Sequence, residues 1–332
     1  MSKRSNRVVV VTGASAGVGR AVAREFGRHG ASVGLIARDK DRLETARREI
    51  EDLGGRALAL PTDVADADQV ERAARQVEEQ WGPMDVWINN AMTTIFAPVS
   101  EIRPDEFKRA TEVTYLGCVY GTMAALKRML PRDRGAIVQV GSALAYRSIP
   151  LQAPYCGAKH AIVGFTDSLR CELIHNRSKV HLTVVHLPAM NTPQFSWCRT
   201  RLPRHPQPVP PIFEPEVAAR AIYYAAGQRR REIFVGAPTV TAIYGQDIAP
   251  AFADRYLGAR GYASQQTSQP VAPDRPDNLF HPVPGDYAAR GIFTQQAKSF
   301  SLQSWLDLHR SPLAAAAAAL LSAGIFLWRR HA

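Results

Sequence analysis

Seven short runs of apolar, often β-branched residues, the first six each followed by a helix-length stretch, constrain this 332-residue chain more than any other feature. The runs are Val8–Thr12, Ser32–Ala37, Arg56–Leu60, Asp85–Asn89, Ala136–Gly141, Val180–His186 and Glu232–Val235. Helical spacing covers Val18–His29, Asp39–Leu53, Asp66–Trp81, Pro104–Leu130, Pro154–His175 and Pro215–Gly227. Gly30 stops the first of these, and Asp66 suits an N-cap for the third. Strands without polar alternation are buried on both faces, which is the habit of parallel sheets. Repeated strand–helix–strand order then predicts an α/β fold, a doubly wound parallel sheet of about seven strands with helices on both faces. Hydrophobic residues make up 46% of the chain, enough for one large core plus an appendage.

The first strand runs into Thr12-Gly13-Ala14-Ser15-Ala16-Gly17-Val18-Gly19, and a helix follows. Glycines permit positive φ and close backbone approach. The helix start offers N–H groups and partial positive charge to a pyrophosphate. The turn therefore predicts a nucleotide site built from Gly13, Ser15, Ala16, Gly17, Val18 and Gly19. Strand two ends in Arg38, whose planar fork suits a phosphate. An acidic side chain there would favour a ribose hydroxyl instead, and Asp39 comes one place later.

Other stretches fall in a telling order: Asp63-Val64 after strand three, Asn89-Asn90-Ala91 after strand four, and Tyr155-Cys156-Gly157-Ala158-Lys159 on the long helix. With TGxxxGxG in the first turn, the chain resembles the short-chain dehydrogenase/reductase family, classical type, over roughly residues 7–236. The resemblance implies a Rossmann-like fold and NADP(H), with NAD possible, as cofactor. It implies contacts to that cofactor from Asp63, Val64, Asn90 and Ala91, and from Tyr155 and Lys159. Pro188 and Thr192 join them, because Leu187-Pro188-Ala189-Met190-Asn191-Thr192 resembles the family's PGxxxT. Residues 190–212 would then form a substrate lid, with Phe195 and Trp197 either lining it or packing on the domain.

Tyr155 and Lys159 share a helix face, and an ammonium nearby should lower the phenol's pKa toward a useful acid/base range. Ser142, just past strand five, holds the family's position for the hydroxyl that binds the substrate oxygen. Thr114, in Val113-Thr114-Tyr115-Leu116-Gly117, stands where the family often has Asn. If a backbone carbonyl is what matters there, Thr serves; if the amide is needed, proton relay suffers. Met92 and Ala189 replace family glycines. The implied activity is interconversion of an alcohol and a carbonyl, with an epimerase or dehydratase as the enzymatic alternative. A membrane-tethered nucleotide-binding sensor or scaffold is the alternative outside catalysis. The resemblance also implies a homo-oligomer.

The catalytic domain is expected over residues 1–258. Residues 259–300, rich in Pro and Gln, read as a linker or surface extension, and 301–332 as a C-terminal helical segment. Within it, Leu313–Trp328 is a charge-free run of sixteen residues flanked by arginines. As a helix it spans about 24 Å, short of a ~30 Å hydrocarbon core unless arginines snorkel. A membrane anchor, a packed helix and a surface-lying tail all remain open for it. Phe300–Leu308 has apolar spacing that suits a membrane surface.

The net charge is +11, but the basic residues are scattered and carry no aromatic strip, so no nucleic-acid partner is expected. Four cysteines without CxxC spacing suit a reducing, cytoplasmic setting, and no histidine pattern predicts a metal.

Overall fold

The computed structural model describes residues 7–310. Seven parallel strands form one sheet: β1 (Val8–Thr12), β2 (Ser32–Ala37), β3 (Arg56–Pro61), β4 (Val86–Asn89), β5 (Ala136–Ser142), β6 (His181–Leu187) and β7 (Glu232–Phe234). Their spatial order is β7-β6-β5-β4-β1-β2-β3. The chain winds outward from β1 in both directions, which opens a crevice beside β1 at the strands' carboxyl ends.

Strand β1 explains why the sheet is covered twice. Val9 and Val11 enter the core on one face, with α1 (Gly17–Arg28), α2 (Lys40–Asp52) and α8 (Pro215–Ala225). Val8 and Val10 enter the core on the other, with α3 (Ala67–Trp81), α5 (Gly117–Met129) and α6 (Ala153–His175). A side-chain period of two on an all-apolar strand leaves no polar face.

The helix expected over Pro104–Leu130 forms, with a π turn set inside it. It runs as α4 (Pro104–Thr111), a π turn at Glu112–Leu116, then α5. Such turns are sparse and cluster at functional sites; this one carries Thr114.

Residues 190–212 hold the short α7 (Gln194–Trp197) and two short strands, Arg199–Thr200 and Arg204–Pro206. Beyond β7 come two helices that periodicity did not indicate, α9 (Ala237–Ile248) and α10 (Pro250–Ser264), the second running across residue 258. The Pro- and Gln-rich stretch then wraps the domain. Gln266–Pro270 pairs with Arg204–Pro206, and Ala297–Lys298 with Ile212–Phe213. Leu279, Val283, Ala289 and Phe293 are buried along it.

Helix α11 (Leu302–Leu308) docks at Gly236, whose N–H donates to Ser304 Oγ (2.9 Å). Its Leu302, Trp305 and Leu306 face outward. Among the described residues no helix is long and apolar enough to cross a membrane. The run Leu313–Trp328 lies outside the described residues.

Candidate functional site

A cavity of about 430 Å³ lies at the carboxyl ends of the strands. The glycine turn forms one part of its wall. Gly17 takes φ +59°, a conformation side chains resist, and a Cβ on Gly19 would lie 2.1 Å from the Gly13 carbonyl oxygen. Helix α1 therefore approaches the turn as closely as it does only because both residues are glycine. Gly19 serves this approach and does not line the cavity, whereas Gly13, Ser15, Ala16, Gly17 and Val18 do.

Asn89-Asn90-Ala91 braces that turn. The Thr12 hydroxyl accepts from the N–H groups of Asn90 (2.9 Å) and Ala91 (3.0 Å), and Asn90 Nδ2 donates to the Thr12 carbonyl (3.0 Å). Asn89 points into the core. It accepts from Trp87 Nε1 (2.7 Å) and donates to Thr122 Oγ1 (3.0 Å) and Gln139 Oε1 (2.8 Å). Sequence reasoning missed this network, since buried Gln139 and Thr122 carry no motif. Val64, Asn90, Ala91, Pro188 and Thr192 all line the cavity. Asp63 does too, with its carboxylate accepting from Ala65 N–H (3.1 Å) and paired to Arg109 of α4.

Arg38 lies on the cavity wall, but its fork does not stand open. Its Nη1 donates to the carbonyls of Phe280 (2.7 Å) and Leu279 (3.4 Å), and its Nη2 to that of Asn278. The sequence expectation of a free phosphate fork is corrected by a segment some 240 residues away, which no local pattern could reveal. Asp39 caps α2, one carboxylate oxygen accepting from the Arg42 N–H (2.9 Å), and it too lines the cavity. Arg42, which sequence reasoning passed over, also lines the cavity and has a buried Nη2 without a partner. An unsatisfied buried guanidinium beside a glycine turn is chemistry that an anionic dinucleotide fits.

Ser142, Tyr155 and Lys159 meet at the other end of the same cavity. Lys159 is buried, 5.5 Å from the Tyr155 ring centre, and its Nζ donates to the Val140 carbonyl (2.6 Å). Burial drives the lysine down to about 8. Burial also pushes the Tyr155 phenol up to about 12, while the Ser142 hydroxyl pulls it the other way. The expectation that Lys159 lowers the phenol is thus not met: desolvation of the ring outweighs an ammonium turned toward a carbonyl. Ser142 Oγ accepts from Leu144 N–H (3.1 Å), which fixes the hydroxyl at the end of β5.

Thr114 sits behind this end and does not line the cavity. Its hydroxyl donates to the Thr93 carbonyl (3.0 Å) and accepts from the Thr93 N–H (3.1 Å), tying the π turn to the loop after β4. An amide side chain could make the same pair of bonds. Thr114→Val should cost about 1–3 kcal/mol by stranding two buried backbone groups. Urea unfolding measures it, and an unchanged midpoint would discount the tie.

In the segment 190–212, Phe195 and Trp197 both line the cavity. Phe195 also packs on Phe96 and Phe293. Asn191 anchors the start of that segment: buried, it donates to Glu214 (3.0 Å) and Thr294 (3.0 Å) and accepts from Phe293 N–H (3.0 Å). Among the described residues no three His, Cys, Asp or Glu side chains are grouped to hold a metal ion.

The model of the family described as short chain dehydrogenase matches residues 7–200. An uncharacterised oxidoreductase, YxnA, of Bacillus subtilis is 30% identical over 84% of this chain and 79% of its own length. The 3-dehydrosphinganine reductase of Danio rerio is 35% identical over 57% of this chain and 58% of that protein. Among solved structures, a metagenomic short-chain oxidoreductase in complex with NADP superposes with a TM-score of 0.59 at 28% identity, covering 70% of this chain and 98% of that one. Sheet, glycine turn and matched sequence agree: the chain belongs to the short chain dehydrogenase family and is an oxidoreductase of that kind.

Proposed function

We propose that the chain is an NADP(H)-dependent reductase of an apolar carbonyl compound, with Tyr155 as the acid/base. The observation that carries this is the meeting of Ser142, Tyr155 and Lys159 in the cavity that also holds the glycine turn. When bound, the nicotinamide supplies the hydride. Gly13, Ser15, Ala16, Gly17, Val18, Asn90, Ala91, Pro188 and Thr192 would hold that cofactor. The rest falls to the chain's own groups. Ser142 Oγ orients the substrate oxygen, and Tyr155 Oη, protonated at neutral pH, donates to it as charge develops. Lys159 sets the field beside the phenol, and Thr114 keeps the π turn in register.

NADP, rather than NAD, is favoured by Arg42, which lines the cavity past β2 with its Nη2 unpartnered. The solved neighbour with bound NADP supports the same choice. An apolar substrate is favoured by Leu144, Ile149, Val209, Pro210 and Leu257, which line the cavity. The long-chain carbonyl chemistry named in two relatives, 3-dehydrosphinganine reductase and fatty acyl-CoA reductase, points the same way.

The test is NADPH oxidation with a graded panel of aldehydes and ketones. Consumption that rises with chain length supports the proposal; cofactor binding without turnover on any of them sinks it. For a turned-over substrate, kcat/KM should be level at neutral pH and fall as pH rises through about 8, where Lys159 loses its proton. Tyr155 stays protonated through that range, so the fall belongs to the lysine. A profile level through pH 8 would detach the Lys159 charge from the reaction.

A further inference from the structure

Resting on the reading of the chain as a carbonyl reductase, we infer that its substrate carries a hydroxyl close to the reacting carbonyl. Gln152 accepts from that hydroxyl, and Gln265, beyond the matched residues 7–200, is what turns Gln152 into an acceptor.

Gln152 stands one residue before α6 and three before Tyr155, so the two side chains leave the same face of the helix start. It is 7% exposed and lines the cavity. A buried amide can present its oxygen or its nitrogen, and its surroundings select which. Here the selection is made by Gln265, just past α10. Gln265 is fully buried, and the carbonyls of Pro150 (2.9 Å) and Gly261 (2.8 Å) both accept from its Nε2. Turned the other way, it would set one oxygen against two. Its Oε1 therefore faces Gln152 and accepts from Gln152 Nε2 (2.7 Å). Gln152 is left with its own Oε1, which no donor reaches among the described residues. An amide oxygen held in this way accepts and does not donate.

The backbone aims the same group. Leu151 is buried at φ +70°, a conformation that branched side chains resist and that folds keep mainly at functional positions. The Ala97 N–H donates to its carbonyl (3.0 Å), which fixes the turn ahead of Gln152. Gln207 repeats the pattern on the far side of Gln265: it lines the cavity and donates its Nε2 to the Ser264 carbonyl (3.1 Å).

The rest of this wall is apolar, with Ile149, Val209, Pro210 and Leu257. A ligand without a donor would close over the Gln152 oxygen and leave it unpaired, and sites of that kind reject such ligands. An ammonium would also satisfy the oxygen, but the charges on the wall oppose it. The carboxylates that line the cavity, Asp39 and Asp63, follow β2 and β3 at the nucleotide end, and the charge at the Tyr155 end is that of Lys159. An uncharged donor is what remains.

The experiment measures kcat/KM of the full chain with NADPH on carbonyl compounds of equal chain length. They are an unsubstituted ketone, its α-hydroxy and β-hydroxy derivatives, the methyl ethers of both alcohols, and the α-amino ketone. Wild type should prefer one hydroxy ketone over the unsubstituted ketone and over its own ether by about 10–100-fold. Gln152→Met keeps the bulk and removes the acceptor, and should bring that ratio to within about threefold of unity. Gln265→Met releases the Gln152 amide and should lower the ratio part of the way. Each ratio is taken within one protein, so a partly unfolded variant lowers both rates and leaves the ratio where it was. Equal rates on ketone and hydroxy ketones, an ether that matches its alcohol, an amine that outruns it, or a preference that survives Gln152→Met overturns the inference and leaves the reductase standing. NADPH oxidation with none of the compounds overturns the reductase reading and the inference with it.

Discussion

Tyr155→Phe should lower turnover of any carbonyl substrate by about 10²–10⁴-fold, the range that positioned acid/base groups contribute. The substitution removes one oxygen. The ring remains 5.5 Å from Lys159 Nζ, and Lys159 keeps its bond to the Val140 carbonyl. NADPH affinity should therefore stay within about twofold. Stability should hold or rise slightly, because the phenol is desolvated and has one hydroxyl neighbour, Ser142. That combination separates chemistry from folding. Turnover would be followed by NADPH absorbance, affinity by fluorescence and stability by thermal melting. A variant that turns over at the wild-type rate would leave Tyr155 without the assigned task.

Glu106→Ala should be the most damaging substitution outside the cavity. Glu106 sits in the first turn of α4 and is 0% exposed. Its carboxylate receives the guanidinium groups of Arg199 and Arg201 and the N–H of Arg103 (3.0 Å). Arg199 also pairs with Asp277 of the extension (2.8 Å), so one carboxylate joins α4, the segment 190–212 and the extension. Breaking a fully buried pair costs about 3–5 kcal/mol. The two arginines here are 23% and 27% exposed, and water can take up part of their charge. A loss of about 2–3 kcal/mol is the expected outcome.

The pH dependence follows from the same contacts. Despite burial, which works against its charge, the arginines and the Arg103 N–H hold the Glu106 carboxyl down at about 2. A depressed carboxylate stabilises the fold above its unfolded pKa, and that stability drains away as pH falls toward the folded value. Wild type should lose stability between about pH 4.5 and about pH 2, and Glu106→Gln should flatten that part of the curve. Urea midpoints across the acid range decide it. Equal slopes for the two proteins would show that the carboxylate stabilises nothing.

The sheet was readable because each strand is a local pattern: Val8–Thr12 needs no knowledge of its neighbours to look buried. The glycine turn was readable for the same reason, since Gly17 and Gly19 answer constraints within a few residues. Helix α10 was not, because its apolar residues Phe252, Tyr256, Leu257 and Tyr262 spread around it and give no period. The π turn was invisible too, being fixed by Thr114 reaching Thr93, a contact between side chain and distant backbone. Arg38 was read as a phosphate ligand because backbone carbonyls from residues 278–280 leave no trace in side-chain chemistry. Tyr155 and Lys159 were found by spacing, but their proton affinities depend on burial, which spacing does not give.

Helix α11 is stitched to β7 through Ser304 and Gln303, and the chain reaches it directly from the segment that runs over Gly17, Arg20, Arg38 and Arg42. Between the two, Phe293 is held by Asn191 and Ala297–Lys298 by Ile212–Phe213. A pull on α11 would therefore load those two anchorages before it reached the groove.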